Sequence, residues 1–537
     1  MDSIVDFLVL AQRGAGVLWV DTHERPMANN RKPDGLLVVG AAAGQPQWHD
    51  AVAAFEVKSD RVGGGDGALV GQLLRNFRDM AEDQPRRRSI GFTVFKSGQV
   101  HMYLCLPSVV LQAEVGPLPG ATIEGDHHRL VRVLLMTLLV LPSDLGFVVN
   151  KVGGISAPFG RRDIPGYMDR SATQLANDAV SIQDSVAIGG RRRNIVGPRS
   201  WLFHATASLA DEQAGGYFQA YNCVVKYHLY MGGRSEAAVH AQAVDMGLPH
   251  VPGLLGSAEV AQQGGSLRGE ILLIERCAMD IGKFYTAMRH DAATSHVAAY
   301  VMLDLFAGYA HTILAAAIGS RNVQIMHRDV SMGNLMVKDD NSPAVIDWGC
   351  GVVIPFGELR APVSSPMVGT APYMGLRVLL RMPQRSVVDD LESLFLVLTH
   401  CLVQNHTSGR DPTVGVALEQ MWSGKLNLEA MVDIRKKWLG SEDSYWDWLM
   451  LRDCPQALEV LAKSLHRLLF LGDVSMAMIT GSHRDPRLDR ISLQRWAGAF
   501  VSAANVARRS GPVHLPCLQR LAAYIRTQLE GGIRGRS

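Results

Sequence analysis

The feature that most constrains this chain is a spacing. His327-Arg328-Asp329-Val330-Ser331-Met332-Gly333-Asn334 is followed, after an apolar run, by Asp347-Trp348-Gly349. One acid in a loop is an ordinary turn or cap residue. An acid, an amide five residues later, and a second acid closing a strand-like run form a far more specific pattern. The combination points to phosphoryl transfer, which asks for little covalent chemistry. It needs a group to orient the attacking hydroxyl, magnesium across the phosphates, and cations holding the nucleotide.

Each part has a candidate. Asp329 is expected to accept or orient the acceptor hydroxyl proton, while the Asn334 amide oxygen and the Asp347 carboxylate are expected to bind magnesium. A nucleotide-holding lysine should precede them on a strand. Lys226 is the only lysine between Lys151 and Lys283, and it sits in the apolar run Cys223-Val224-Val225-Lys226. Glu236, the first glutamate after it, opens the helix-like stretch SEAAVHAQAV and is its expected partner. Gly197, in a segment with little other glycine, is the candidate phosphate-covering turn. Glu275 and Cys277 stand where backbone groups would meet an adenine. Ser364, Ser365 and Thr370 supply hydroxyls downstream, and a phosphate on one of them could pair with Arg328 through two parallel hydrogen bonds.

At 537 residues the chain exceeds one core. Its 47% hydrophobic and 19% charged residues describe a folded protein, and its net charge of +2 recruits neither nucleic acid nor an anionic membrane globally. The seven cysteines (105, 223, 277, 350, 401, 454 and 517) stand singly, with no C-x-x-C pair. They read as reduced thiols, which with the acidic start MDSIVDFLVL predicts an intracellular, cytoplasmic or nuclear protein. The apolar run from Val133 to Leu141 is far below the roughly 20 residues of a bilayer span, so no membrane partner is expected.

Composition separates an α/β domain over residues 1–150, a Gly-, Pro- and Arg-rich linker over 151–180, and two further parts. Residues 181–280 carry strand-like runs, such as CVVKYHLY and EILLIER; residues 281–537 are mainly helical. The expected class is α+β.

HRDVSMGNLMV, VIDWGCG, VGTAPYMGLRVL and DDLESLFLVL together resemble the fungal-type protein kinase family. The resemblance extends to ALVGQLLRNF, QPRRRSIGFTVF and VLLMTLLVLPSDLGF. It implies a bilobal kinase-like fold, with a small lobe over 181–280 and a large lobe with a helical extension over 281–537. The implied activity is ATP- and magnesium-dependent transfer of phosphate to Ser/Thr hydroxyls of proteins. Asp390 matches the helix acid that anchors the catalytic-loop backbone in such proteins. Trp348 replaces the usual Phe. Ser331 stands where most Ser/Thr kinases have Lys, although Ser is usual in this family. Arg377 stands where the activation segment commonly ends in Glu, so the usual ion pair to a later Arg is not expected. The alternatives are a small-molecule phosphotransferase of aminoglycoside-kinase type, which lacks the Gly369-Thr370 segment and the Asp390 helix, and a non-catalytic kinase-like scaffold.

In the first domain, Pro33-Asp34 and Glu56-Val57-Lys58, followed by a helix bearing Gln72, resemble the PD-(D/E)xK nuclease pattern. Alternation along a strand puts Glu56 and Lys58 on one face. Nucleic acid is expected as a partner only through this domain, where Arg86-Arg87-Arg88 could also meet phosphates.

Overall fold

The computed structural model describes residues 17–20, 34–39, 51–58, 75–77, 89–95, 99–105, 110–117, 180–187, 199–211, 217–231, 235–260, 267–291, 293–318, 323–355, 368–381, 387–406, 416, 419–423, 426–439, 453–470, 490–509 and 514–534. Gly197, Gln72, Arg86–Arg88, Ser364, Ser365, the run from Val133 to Leu141 and residues 151–179 lie outside them. The content is mixed helix and sheet, as the α+β expectation requires. Contacts divide the chain into two compact units, residues 1–233 with 255–275, and residues 234–254 with 276–537.

The first unit holds two sheets. Strands β1 (Val17–Val20), β2 (Gly35–Val39), β3 (Ala51–Lys58), β4 (Ser89–Phe95), β5 (Gln99–Cys105) and β6 (Val110–Pro117) form one sheet in sequence order. Every neighbouring pair is antiparallel except β3 and β4, which run parallel. A parallel pair needs a crossover connection between its strands; within it residues 75–77 are described, and they are helical. Phe55 and Phe92 stack with ring centroids 4.8 Å apart and seal the middle of this sheet.

The second sheet has the order β10-β11-β9-β8-β7. It is built from β7 (Val180–Ala187), β8 (Arg199–Asp211), β9 (Tyr217–Met231), β10 (Leu254–Val260) and β11 (Leu267–Glu275). The run CVVKYHLY is the end of a 15-residue strand, longer than the short strand its sequence suggests. Lys226 therefore lies mid-sheet, in register with Leu202 on β8 and Leu272 on β11, and is only 6% exposed.

The second unit is mainly helical. Helix α1 (Glu236–Asp245) is capped by Ser235, whose hydroxyl accepts from the Ala238 N–H at 3.2 Å. After β12 (Met279–Asp280) come α2 (Ile281–His290) and α3 (Ala298–Ile318). Short strands follow: β13 (Val323–Met326), β14 (Leu335–Val337), β15 (Pro343–Val345) and β16 (Val352–Pro355). The chain then continues through α4 (Leu376–Leu379), α5 (Val387–Asn405), α6 (Leu428–Leu439), α7 (Gln456–Phe470), α8 (Arg490–Arg508) and α9 (Pro516–Arg534). Helix α3 is long and apolar enough to cross a membrane, yet 83% of its most apolar window is buried, the mark of a core helix. Its one acid, Asp304, accepts from the N–H groups of Leu518 at 3.0 Å and Cys517 at 3.3 Å, which ties the start of α9 to the core.

Candidate active site

The paired strands β13–β16 and β14–β15 carry the loops that hold the expected chemistry. Between β13 and β14 runs the segment from His327 to Asn334. Two bonds shape its entry: the Asp390 carboxylate on α5 accepts from the N–H of His327 and from that of Arg328, both at 2.8 Å. Arg328 has φ 67°, a left-handed conformation that is unfavourable for a residue with a side chain. Such a conformation persists where surrounding bonds over-determine it. Asp390 is 4% exposed; burial pushes its carboxyl up to about 7, against the pull of the two N–H donors.

His327 fixes the next turn. Its Nδ1 accepts from the Asp329 N–H at 3.3 Å, so the ring proton belongs on Nε2, which donates to the Ile346 carbonyl at 2.9 Å. The ring also packs against Trp348, centroids 4.6 Å apart. The Trp348 N–H donates to the Val345 carbonyl at 3.1 Å, so the larger ring that replaces Phe is buried and satisfied. The imidazole thereby joins the Asp329 loop to the Asp347 turn.

Asp329 sits among donors. The Thr370 N–H and hydroxyl donate to its Oδ1 at 2.7 and 2.8 Å, and the Asn334 Nδ2 reaches its Oδ2 at 3.2 Å and its carbonyl at 2.8 Å. Burial, and then the neighbouring Asp347 charge, push the Asp329 carboxyl up to about 6, despite these donors. With its nitrogen turned to Asp329, Asn334 presents its amide oxygen on the other side. Asp347 is itself left-handed, with φ 61° and ψ 64°. Two acids close enough to repel, beside an amide oxygen, are the hard oxygen donors that suit magnesium.

Glycines explain how the turns approach. At Gly369, φ is 117°, and an added Cβ would meet the Arg328 carbonyl oxygen at 2.7 Å, so no other residue brings Thr370 to Asp329 without a shift. At Gly349 a Cβ would meet Glu236 Oε2 at 2.9 Å and Asp347 Oδ1 at 3.3 Å. The third residue of Asp347-Trp348-Gly349 is thus the space through which the Glu236 carboxylate comes close to the Asp347 turn.

The second unit brings together Arg328, Asp329, Asn334, Asp347 and Glu236. Cys277 belongs to the same unit and is buried, next to Ala278, whose N–H donates to the Val337 carbonyl at 2.8 Å. Lys226 and Glu275 belong to the first unit, and Glu275 lies opposite Cys223 at the end of β11.

Sequence reasoning missed how the segment after Thr370 is held. Arg377 is buried, and the Glu392 carboxylate on α5 accepts from the neighbouring Leu376 N–H at 2.7 Å. Arg435 on α6, 1% exposed, donates to the Pro372 carbonyl and lies over the Trp422 ring at 5.9 Å. Trp422 stacks on His400, centroids 4.4 Å apart, and His400 Nδ1 meets the Tyr373 hydroxyl at 2.7 Å. A later arginine does grip the segment, through a backbone carbonyl. The available signal was Arg435 in an amphipathic helix, on the face with the buried Met431 and Val432.

Residues 292–402 match the family model described as fungal protein kinase. The match takes in Arg328, Asp329, Asn334, Asp347, Thr370 and Asp390; Lys226, Glu236, Gly197, Glu275 and Cys277 precede it. No curated protein matches the chain. Over the matched residues the chain is kinase-like.

Proposed function

We propose that this chain is an ATP-dependent protein kinase that transfers the γ-phosphate to Ser or Thr hydroxyls, through a bilobal arrangement preceded by the α/β domain. The observation that carries the reading is the environment of Asp329. It lies beside Asp347 and Asn334, with its loop pinned by Asp390 and its carboxylate met by Thr370.

Asp329 orients the acceptor hydroxyl and takes up its proton as the new O–P bond forms. Its raised affinity for a proton suits that role near neutral pH. Asn334 and Asp347 are the residues that would hold magnesium, which neutralises charge on the phosphates when bound. The buried Lys226 and Glu236 are assigned to the nucleotide phosphates, Gly197 to the turn over them, and Glu275 and Cys277 to the adenine edge. Arg328, left-handed and next to Asp329, is the assigned receiver of a phosphate on Ser364 or Ser365. The Gly369-Thr370 contact with Asp329 favours a protein acceptor over a small-molecule one, because small-molecule phosphotransferases of the resembled type lack that segment.

The test is an ATP assay of the full chain beside Asp329→Asn, reading phosphoserine, phosphothreonine and phosphotyrosine on generic proteins. Loss of at least about 100-fold is expected for the variant, the lower end of what a positioned general base contributes. Equal signal from both proteins overturns the reading.

A further inference from the structure

Lys226 is a charged side chain inside a sheet. It is 6% exposed, and its partners in register are two leucines, Leu202 on β8 and the fully buried Leu272 on β11. Neither leucine side chain can accept a hydrogen bond from an ammonium. Taking a charge out of water is costly unless a counter-charge comes with it. The strands beside Lys226 offer one.

Strand register places that counter-charge. Residues paired across a ladder share a face of the sheet, and so do residues two apart along a strand. Leu272 pairs with Lys226 and Glu270 pairs with His228, so Lys226, His228 and Glu270 share one face. Glu270 is the only acid that β8, β9 and β11 place there. It is 1% exposed, and one of its carboxylate oxygens lies within 4.8 Å of a His228 ring nitrogen. Lys226 stands diagonally from Glu270, a separation of about 7–8 Å that a long side chain spans. All three residues belong to the first unit, so register alone sets their grouping.

We propose that Glu270 is a positioning residue: its carboxylate, steadied by His228, holds the Lys226 ammonium where it meets the nucleotide phosphates. The inference rests on the assignment of Lys226 to those phosphates and adds the residue that orders the lysine before nucleotide arrives. A fixed carboxylate offsets the cost of burying the ammonium and sets where it lies. Glu270 acts through Lys226 and touches no phosphate itself.

The test is a double-mutant cycle on the full chain: native, Glu270→Gln, Lys226→Met and the double variant. Each is measured for magnesium-ATP binding by calorimetry and for unfolding by denaturant. Glu270→Gln should weaken ATP binding about tenfold, the effect of losing one charge-assisted bond that orders the lysine. In the Lys226→Met background the same change should weaken it less than about twofold, because no ammonium is left to position. A glutamate that serves only the fold would weaken both backgrounds alike. Additive losses assign Glu270 to the fold, or to Arg268 two residues before it on the same face, and overturn the proposal. Native-like binding by Glu270→Gln overturns it as well. If either single variant fails to fold, the double variant should fold, because the stranded charge is gone; a double variant that also stays unfolded overturns the pairing. ATP binding without phosphate transfer by the native chain overturns the protein-kinase reading and leaves this one standing. Absence of ATP binding by the native chain overturns both.

Discussion

Glu56 and Asp390 are two buried carboxylates that do different work. Glu56, on β3 of the first unit, is fully buried and accepts from the Asn76 side-chain amide at 2.7 Å, a partner 20 residues on. Asp390, on α5 of the second unit, accepts from two backbone N–H groups more than 60 residues away. A side chain bonded to a side chain ties the sheet to the segment that covers it. A side chain bonded to consecutive backbone N–H groups dictates the course of a loop. Here it helps hold Arg328 in a conformation that costs about 1–3 kcal/mol. The catalytic-loop motif depends on the second kind of bond, while the Asn76 bond at Glu56 is of the first kind.

The comparison breaks most readily at Asp390. Asp390→Ala strands two buried N–H groups and releases a strained turn; unpaired buried groups cost about 1–3 kcal/mol each, so a loss of about 2–5 kcal/mol is expected by denaturant unfolding. Phosphate transfer should fall with it, because Asp329 follows directly. Asn76→Ala should cost less, about 1–3 kcal/mol, since one side-chain bond is lost. Transfer should be unaffected, because the change lies in the first sheet. Were Asn76→Ala to impair transfer as strongly as Asp390→Ala, the two carboxylates would not differ in the way proposed.

A pH series sharpens the contrast between regions. Burial lowers His250, His311, His400 and His406, all in the second unit, to about 4 from the usual 6.5. Above pH 6.5 both folded and unfolded forms are neutral at these rings. Between pH 6.5 and 4 the unfolded chain binds protons that the folded one refuses, so stability falls as pH falls. Asp329 and Asp390 act in the opposite sense, since their raised affinities make the folded form hold protons in that window. The four imidazoles outnumber them. The melting temperature should drop from pH 7 to pH 5, and the drop should be shallower in His400→Phe, whose slope, not its absolute stability, is the readout. An unchanged slope would remove His400 from the account.

Much of the candidate site was legible because it is encoded in local spacing. Asp329, Asn334 and Asp347 lie within 19 residues, and the strands between them are short. Asp390 was legible only through the family resemblance; nothing near it in sequence says that His327 and Arg328 are its donors. Arg435 and Glu392 were not legible, because their partners are backbone groups, 63 and 16 residues away, that leave no side-chain signature. The first unit shows the same limit. The strand that carries Glu56 and Lys58 was legible from their alternation, but the parallel pairing of β3 with β4 and the burial of Glu56 depend on long-range contacts that no local pattern shows. Thr370 was read only as a hydroxyl open to phosphorylation, whereas both its N–H and its hydroxyl reach Asp329.

That last point gives the smallest and most selective effect. Thr370 makes two bonds to Asp329 Oδ1, and only the hydroxyl depends on the side chain. Thr370→Ala therefore leaves the backbone bond and the Gly369 turn in place and removes one hydrogen bond to a carboxylate, worth about 1.5–3 kcal/mol. Thr370→Ser keeps the hydroxyl and drops a methyl. Transfer by Thr370→Ala should fall about 10- to 100-fold while unfolding changes less than in Asp390→Ala, because the hydroxyl orients Asp329 on the exposed side of the loop. Thr370→Ser should recover most of that loss. If instead Thr370 acts as a phosphorylation switch, the native chain and Thr370→Ser should gain the mass of a phosphate after incubation with ATP, and Thr370→Ala should not. Intact-mass measurement beside the transfer rate separates the two roles: a rate lost in Ala and restored in Ser, with no mass change in the native chain, assigns Thr370 to positioning Asp329.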